Sequence, residues 1–218
     1  MPTTPLPLPD PTLDPLPRLL ARARALAGPG QRRILGIAGA PGAGKSTLAA
    51  RLVAALDGGA VLVPMDGFHL AGKELDRLGR ADRKGAPDTF DAAGYTALLA
   101  RLRAPEPGTT VYAPDFDRAL EEPVAGALPV PPEIPLVVTE GNYLLHDDGH
   151  WARVRPLLDE VWFVRTEETE RVRRLVARHI RYGKEPARAA RWVRESDEAN
   201  ARLVDAGRGR ADLVVDLP

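Results

Sequence analysis

The stretch Gly39-Ala40-Pro41-Gly42-Ala43-Gly44-Lys45-Ser46 decides which fold is expected for this 218-residue chain. It fits the pattern G-x-x-x-x-G-K-[ST], in which the backbone N–H groups of a glycine-rich loop surround phosphate oxygens. Glycine is required because a Cβ would block the close approach to the ligand or the left-handed turns of the loop. Lys45 would bring positive charge to the β- and γ-phosphates, and Ser46 would offer an oxygen to Mg²⁺. The stretch predicts that this loop, together with Thr47, binds a nucleoside triphosphate.

The residues on both sides of this loop have the pattern that the motif needs. Residues 34–38 are a short apolar run typical of a buried strand, and residues 45–56 place leucines on one face of a helix. Further strands are predicted at residues 60–65, 136–139, 161–164 and 213–217, and further helices at residues 18–27, 92–103, 167–182 and 187–204. Short apolar strands separated by helices predict a mainly parallel five-stranded sheet with helices on both faces. The expected fold class is α/β, the three-layer sandwich of P-loop NTPases.

Two regions depart from this alternation. Seven of the first 17 residues are Pro, so residues 1–17 are predicted to form an extended arm, and residues 18–218 a single domain. Between residues 109 and 135 the helical period is lost and Pro is frequent. We expect an insertion there, either a loop or a β-hairpin, that is functional or mobile.

Composition excludes several classes of function. No apolar run approaches the roughly 18 residues of a membrane span, and the chain has 30 Lys+Arg against 30 Asp+Glu. We therefore expect neither a membrane nor a nucleic-acid partner. With no Cys there is no disulfide, thiolate nucleophile or Cys-based metal site. No secretory signal is recognisable at the N-terminus, so a cytoplasmic location is expected. The sequence admits a homodimer without deciding the oligomeric state.

The expected nucleotide is ATP. A guanine-binding Asn-Lys-x-Asp motif is absent, because the only two Asn residues, Asn142 and Asn200, are followed by Tyr and Ala. An LSGGQ-like transporter signature is absent as well. ATP and Mg²⁺ are therefore the expected cofactors.

Two carboxylates directly follow predicted strands. Asp66 follows the strand at residues 60–65, at the sheet edge where ligands bind in open α/β proteins. There it could accept the proton of an attacking alcohol and orient it, although an ordinary strand-end turn explains an Asp as well. Glu140 follows residues 136–139, where a carboxylate suits Mg²⁺. We expect both strands to lie next to the strand of the phosphate loop, and the two roles could be exchanged.

Several motifs together resemble a known superfamily. They are residues 39–47, Asp66-Gly67-Phe68-His69, residues 83–91, residues 112–118 and Glu140-Gly141-Asn142-Tyr143. With these motifs the chain resembles the P-loop kinases that include uridine kinase, phosphoribulokinase and bacterial pantothenate kinase. Within them it is similar to the nucleoside/nucleotide kinase-like branch, also described as fructose-transport-system kinase-like. The resemblance covers about residues 33–217.

The resemblance implies roles for individual residues. Asp66 would be the base, Glu140 would lie near Mg²⁺ or the substrate, and Tyr112, Asp115 and Arg118 would bind the acceptor. The full set of predicted substrate-binding residues is Phe68, His69, Arg83, Lys84, Asp88, Tyr112, Asp115, Arg118 and Asn142. Alternatives stay open for some of them. Phe68 could pack in the core, His69 could cap a turn, and residues 83–91 could be a self-neutralising surface loop.

A basic helix face adds further candidates. At about 100° per residue, four arginines of the predicted helix at residues 167–182 share one narrow face. They are Arg171, Arg174, Arg178 and Arg181. In related kinases a helical lid, here about residues 167–184, supplies arginines to the triphosphate, and Arg178 and Arg181 are the preferred pair. A solvated arginine face is the competing interpretation.

The predicted activity is transfer of the γ-phosphate of Mg·ATP to an alcohol group of a small molecule such as a nucleoside, a pantothenate-like compound or a sugar. The predicted catalytic residues are Lys45, Asp66, Glu140, Arg178 and Arg181, with Ser46 and Glu140 as metal ligands. The alternative is a regulatory or chaperone-type NTPase that acts on a protein partner. An NTPase of that kind would not need a pocket for an alcohol.

Overall fold

Five parallel strands form the centre of the computed structural model, which describes residues 14–28 and 30–218. The strands in chain order are β1 (Arg33–Gly39), β2 (Ala60–Leu62), β3 (Val111–Asp117), β4 (Glu122–Val130), β5 (Leu136–Gly141), β6 (Glu160–Arg165) and β7 (Leu213–Asp216). The sheet order is β2-β5-β1-β6-β7, and every pair in it is parallel. This arrangement confirms the predicted α/β fold.

Helices cover both faces of the sheet. They are α1 (Leu16–Leu26), α2 (Lys45–Ala55), α3 (Gly72–Leu78), α4 (Ala92–Arg103), α5 (Glu168–Arg181), α6 (Pro186–Trp192) and α7 (Glu198–Ala206). No helix of residues 14–28 and 30–218 is long and apolar enough to cross a membrane. Of the predicted arm, residues 1–13 lie outside the described residues, while Leu16 and Pro17 already belong to α1.

Alternation along the strands separates two cores. On β1, Leu35 and Ile37 belong to the cluster formed with α1 and α2, whereas Ile34 and Ala38 belong to the cluster formed with α4 and α7. Both pairs are fully buried. Successive side chains of a strand point to opposite faces, so a continuous apolar run fills both cores at once.

The insertion at residues 109–135 is a β-hairpin. Strands β3 and β4 pair antiparallel, with an irregularity between Ala113 and Asp115. The hairpin lies against the short 3-10 turn Met65–Phe68 that follows β2. It therefore places its own residues beside Asp66.

Some predicted elements differ from the observed ones. The predicted strand at residues 60–65 ends at Leu62, because Pro64 has no N–H to donate and the chain turns at Met65. The helix predicted at residues 187–204 is divided by a π-helical segment, Val193–Asp197, which buries Val193 and Asp197. Helix α3 was not predicted, because its seven residues bury only Leu75 and carry no periodic signal.

The expected position of the Asp66 strand was wrong. Strand β5, which ends in Glu140, lies next to β1, but β2 pairs with β5 and not with β1. Both β2 and β5 are short apolar runs, and an apolar run carries no information about which neighbour it pairs with. Asp66 comes close to the phosphate loop because the chain continues past the end of β2.

The first prediction concerns the contact between the 3-10 turn and the hairpin. A Cβ added at Gly67 would lie 2.4 Å from the carbonyl oxygen of Pro114. Because that oxygen belongs to the backbone, Gly67→Ala must shift the whole hairpin, and we expect a loss of about 1–3 kcal/mol in the free energy of unfolding. Denaturant titration measures it. Gly209→Ala, where nothing lies within 4 Å of the added Cβ, is the control, and equal stability of the two variants would contradict the close packing.

Candidate active site

The phosphate loop joins β1 to α2. Gly44, the residue before α2, has φ +95°, a left-handed conformation that favours glycine. The N-terminus of the 11-residue helix α2 therefore begins directly at the loop, with its free N–H groups and partial positive charge. This is the geometry in which a helix binds an anion.

Lys45 is buried within this loop. Its Nζ donates to the carbonyl oxygen of Ala40 at 3.1 Å and to Oδ1 of Asn142 at 2.8 Å. Burial lowers the pKa of Lys45 to about 8, although the negative charges of Glu140 and Asp66 act to raise it. Loss of hydration is thus only partly compensated, and a lysine in this state gains from an added anion.

Ser46 and Glu140 provide adjacent oxygen atoms. The Ser46 hydroxyl donates to Oε1 of Glu140 at 2.9 Å, and Glu140 lies on β5 directly beside Ile37 of β1. Burial, together with the negative charge of Asp66, raises the pKa of Glu140. A hydroxyl and a carboxylate side by side suit Mg²⁺, which keeps several waters and takes further oxygens from the phosphates. Residues 14–28 and 30–218 contain no group of three or more acidic or His side chains able to hold a metal ion.

Asp66 lies in the turn after β2 and forms an ion pair with Arg118 of the hairpin. Burial would raise its pKa, but the positive charge of His69, Arg118 and Lys45 outweighs burial and lowers it. The two carboxylates of the site therefore have pKa values shifted in opposite directions. This arrangement allows one of them to stay ionised while the other responds to a cation.

His69 follows the same turn. Its Nδ1 lies 2.8 Å from the carbonyl oxygen of Asp66, and its ring centroid lies 4.0 Å from that of Phe90 and 4.8 Å from that of Phe116. Burial lowers the pKa of His69. The side chain both caps the turn and lines the cavity described next, so the two roles considered for it are compatible.

These groups open into two connected cavities. One, of about 360 Å³, extends from the loop past Asp66 and His69 to Lys84 and Trp192. The other, of about 580 Å³, runs along the loop toward the C-terminal residues Leu217 and Pro218. Five residues line both of them: Lys45, Ser46, Arg118, Arg178 and Tyr182. We name the first the inner cavity, the second the loop groove, and the five shared residues the junction.

The structure brings most of the predicted site residues to these cavities. Those that line the inner cavity are Pro41, Lys45, Ser46, Asp66, His69, Lys84, Arg118, Glu140, Asn142 and Arg178. Gly42, Gly44 and Thr47 line the loop groove.

Five predicted substrate-binding residues lie elsewhere in the described structure. Phe68 packs on Tyr95 with ring centroids 5.2 Å apart. Arg83 and Asp88 form an ion pair at 2.8 Å, which agrees with the self-neutralising loop. Tyr112 is 61% exposed on the hairpin. The Asp115 carboxylate accepts from the backbone N–H of Phe116 and does not line either cavity.

The four arginines on the basic face of α5 differ in their surroundings. Arg171 is buried and pairs with Glu198 at 2.6 Å, and Arg174 pairs with Glu170 at 2.7 Å. Arg178 alone of the preferred pair reaches the junction, while Arg181, in the last turn of the helix, is exposed and lines neither cavity. The chain reverses after Arg181, so the next positive side chain at the cavity comes from Lys184.

Other lining residues were not predicted. They are Ala81, Gly85, Phe116, Glu121, Gly141, His179, Tyr182, Lys184, Arg188, Trp192, Asp197 and Asn200. His179 Nε2 lies 2.7 Å from Oδ2 of Asp197, and this contact fixes the π-helical segment against α5. A π-helical turn is frequent at functional sites, but no spacing in the sequence reveals one.

The loop, the carboxylates and the junction define a P-loop kinase type of nucleotide site. The family model described as "Phosphoribulokinase / Uridine kinase family" matches residues 34–216, so the chain belongs to that family. This confirms the resemblance noted from the motifs.

Individual relatives agree with this assignment. The Schizosaccharomyces pombe protein named "Putative uridine kinase C227.14" is 35% identical over 179 residues, which cover 78% of this chain and 76% of that one. Escherichia coli YggC is 33% identical over 208 residues, covering 93% and 85%. A crystal structure described as a "putative fructose transport system kinase" from Silicibacter sp. TM1040 has a TM-score of 0.81 at 37% identity, covering 92% of this chain and 98% of the other.

The second prediction follows from the pKa of Lys45. An anionic nucleotide binds the protonated lysine better, so affinity is full below pH 8 and falls as rising pH deprotonates Lys45 in the nucleotide-free protein. Between pH 7 and pH 9 we expect the Kd for ATP to rise about tenfold. Calorimetric titration measures it. Lys45→Arg keeps its charge throughout this range, so its Kd should change less; parallel pH profiles would refute the assignment.

Proposed function

We propose that the protein transfers the γ-phosphate of ATP to an alcohol group of a small molecule bound in the inner cavity. The observation that carries this proposal is the position of Asp66: an ionised carboxylate lies in a cavity that continues beyond the phosphate loop. A regulatory NTPase needs a nucleotide site but no such space. Family membership supports a kinase and leaves the acceptor to be identified.

The nucleotide would occupy the loop groove. Its phosphates would run along Gly42, Gly44 and Thr47, and the terminal phosphate would reach the junction at Lys45 and Ser46. The α2 N-terminus and the Lys45 ammonium would together neutralise phosphate charge. The γ-phosphate would thus lie where the groove meets the inner cavity.

Ser46 and Glu140 fit a Mg²⁺ ion by their oxygen chemistry and their contact of 2.9 Å. When bound with the nucleotide, Mg²⁺ neutralises charge on the phosphate oxygens. The chain's own contribution is to hold this oxygen pair beside the lysine. The raised pKa of Glu140 agrees with a carboxylate that gains from a nearby cation.

Asp66 would orient the acceptor hydroxyl by accepting its hydrogen bond. Its lowered pKa keeps it ionised at neutral pH, so its negative charge would orient the hydroxyl and take up its proton as the bond to phosphorus forms. Arg118 fixes the carboxylate from the hairpin side. Arg178 at the junction would donate to the phosphoryl group as negative charge spreads over it.

The third prediction tests the activity itself. A panel of purified alcohols, including nucleosides, sugars, hydroxy acids and pantothenate, is offered with Mg·ATP while ADP formation and the phosphorylated product are measured. We expect at least one alcohol to accelerate ADP formation. Lys45→Ala should lose most of this turnover with its thermal unfolding unchanged, because the loop backbone stays intact. The regulatory NTPase would be favoured instead if ATP hydrolysis is slow, no alcohol accelerates it, and a protein partner does.

The fourth prediction separates the two carboxylates. Asp66→Asn should lower kcat by about a hundredfold or more and leave the Kd for Mg·ATP nearly unchanged. Glu140→Gln should raise the Mg²⁺ concentration that gives half-maximal rate and weaken Mg·ATP binding. Rate measured against Mg²⁺ at saturating acceptor distinguishes them. Asp82→Asn, whose side chain is 83% exposed and outside both cavities, is the control.

The roles would be exchanged if Asp66→Asn kept full activity while Glu140→Gln lost it without a change in Mg²⁺ dependence. In that case Glu140 would be the group that faces the alcohol. Both variants need a check of thermal unfolding, because each removes one partner of a polar contact in the site.

A further inference from the structure

The inner cavity carries positive charge outside the loop groove proposed for the nucleotide. Lys84, Lys184 and Arg188 line the inner cavity, and none of them lines the loop groove. Lys84 comes from the loop after residues 81–83, while the other two come from the turn after α5 and from α6. Three separate parts of the chain therefore bring cations to the inner cavity at positions that do not line the loop groove.

These cations form no ion pair in the described part of the chain. Within residues 14–28 and 30–218, no carboxylate oxygen lies within 4.0 Å of the charged nitrogens of Lys84, Lys184 or Arg188. At the junction, by contrast, Arg118 pairs with Asp66. The two lysines are half-buried, so water screens their charge only in part.

Aromatic rings hold the ammonium groups of Lys84 and Lys184 in place, and a backbone carbonyl also accepts from Lys84. Lys84 Nζ donates to the backbone oxygen of Glu121 at 2.6 Å and lies 5.2 Å from the Phe116 ring centroid. Lys184 Nζ lies 5.1 Å from the Trp192 ring centroid. Cation–π contacts orient an ammonium group without removing its net charge. Burial also lowers the pKa of Lys184, as expected for an ammonium that has lost water without gaining an anion.

Two acidic side chains near the three cations leave positive charge in excess. Asp197 is buried and engaged with His179 at 2.7 Å, and the Glu121 residue is exposed. Both raise the pKa of Lys184 from a distance, yet neither forms an ion pair with it. Asp66 and Glu140 have partners of their own, Arg118 and Ser46.

We propose that the acceptor alcohol carries an oxyanion, a phosphate or a carboxylate, which Lys84, Lys184 and Arg188 bind while its hydroxyl faces Asp66. This inference rests on the proposed phosphotransferase function and specifies its substrate class. An anion supplies the missing partner of the cations, whereas a neutral nucleoside or sugar would leave the two half-buried lysines without one. Phe116 and Trp192 would flank the carbon skeleton between the two ends.

The test measures anion binding without turnover. The full chain is saturated with Mg²⁺ and a non-hydrolysable ATP analogue, so that the loop groove and the junction are filled, and inorganic phosphate is titrated calorimetrically. The double variant Lys184→Gln/Arg188→Gln is compared with Lys73→Gln/Arg191→Gln, which has the same charge change at exposed positions outside the cavities. Thermal unfolding checks that all proteins are folded.

We expect phosphate to bind the wild type and the control pair equally, and the Lys184/Arg188 variant at least tenfold more weakly, as for loss of a charged hydrogen bond. Binding of acetate in place of phosphate, with the same variant effect, would support the same site with a carboxylate ligand. The inference is overturned if neither anion binds the nucleotide complex, or if the double variant binds as well as the control.

The acceptor panel separates this inference from the proposed function. If a neutral alcohol and its phosphorylated or carboxylated counterpart, such as ribose and ribose 5-phosphate, are used with equal kcat/KM, the inference fails and the kinase activity stands. If phosphate binds as expected but no alcohol is phosphorylated, the proposed function fails and the anion site stands.

Discussion

The rest of the site depends on the burial of the Lys45 ammonium. Its two hydrogen bonds, to Ala40 and Asn142, are to neutral groups, and the negative charge that opposes desolvation comes from Glu140 and Asp66. A buried lysine with a lowered pKa is costly until an anion arrives. The loop is therefore prepared for phosphate, and the carboxylates are placed at a distance that supports the lysine without neutralising it.

Different partners distinguish the two carboxylates. Asp66 has a cation from the hairpin, Arg118, and a lowered pKa, whereas Glu140 has a hydroxyl and a raised pKa. Both line one cavity, where Glu140 is 6% exposed and the Asp66 side chain 27% exposed, so burial and the nearby charges together set the difference. A group that stays ionised suits an attacking hydroxyl, and one that gains from added positive charge suits a metal ion.

Two segments outside the central sheet complete the inner cavity. The hairpin contributes Phe116 and Arg118, and the region from α5 to α7 contributes Arg178, Lys184 and Trp192. The π-helical segment matters here because it turns Asp197 toward His179 and so holds α7 against α5. Variation in these segments would change the acceptor without changing the loop that binds the nucleotide.

The sequence alone determined the features that depend on neighbours in the chain. Residues 39–46 lie in one loop, so their spacing predicted the nucleotide site, and apolar runs predicted the strands and the α/β class. Sequence could not place β5 between β1 and β2, choose Arg178 over Arg181, or bring Lys84, Lys184 and Arg188 to one cavity. Periodicity predicts which face of a helix or strand is apolar, but not which polar groups from distant parts of the chain lie next to it. Only the packing of the hairpin and of α5–α7 on the sheet brings these side chains together.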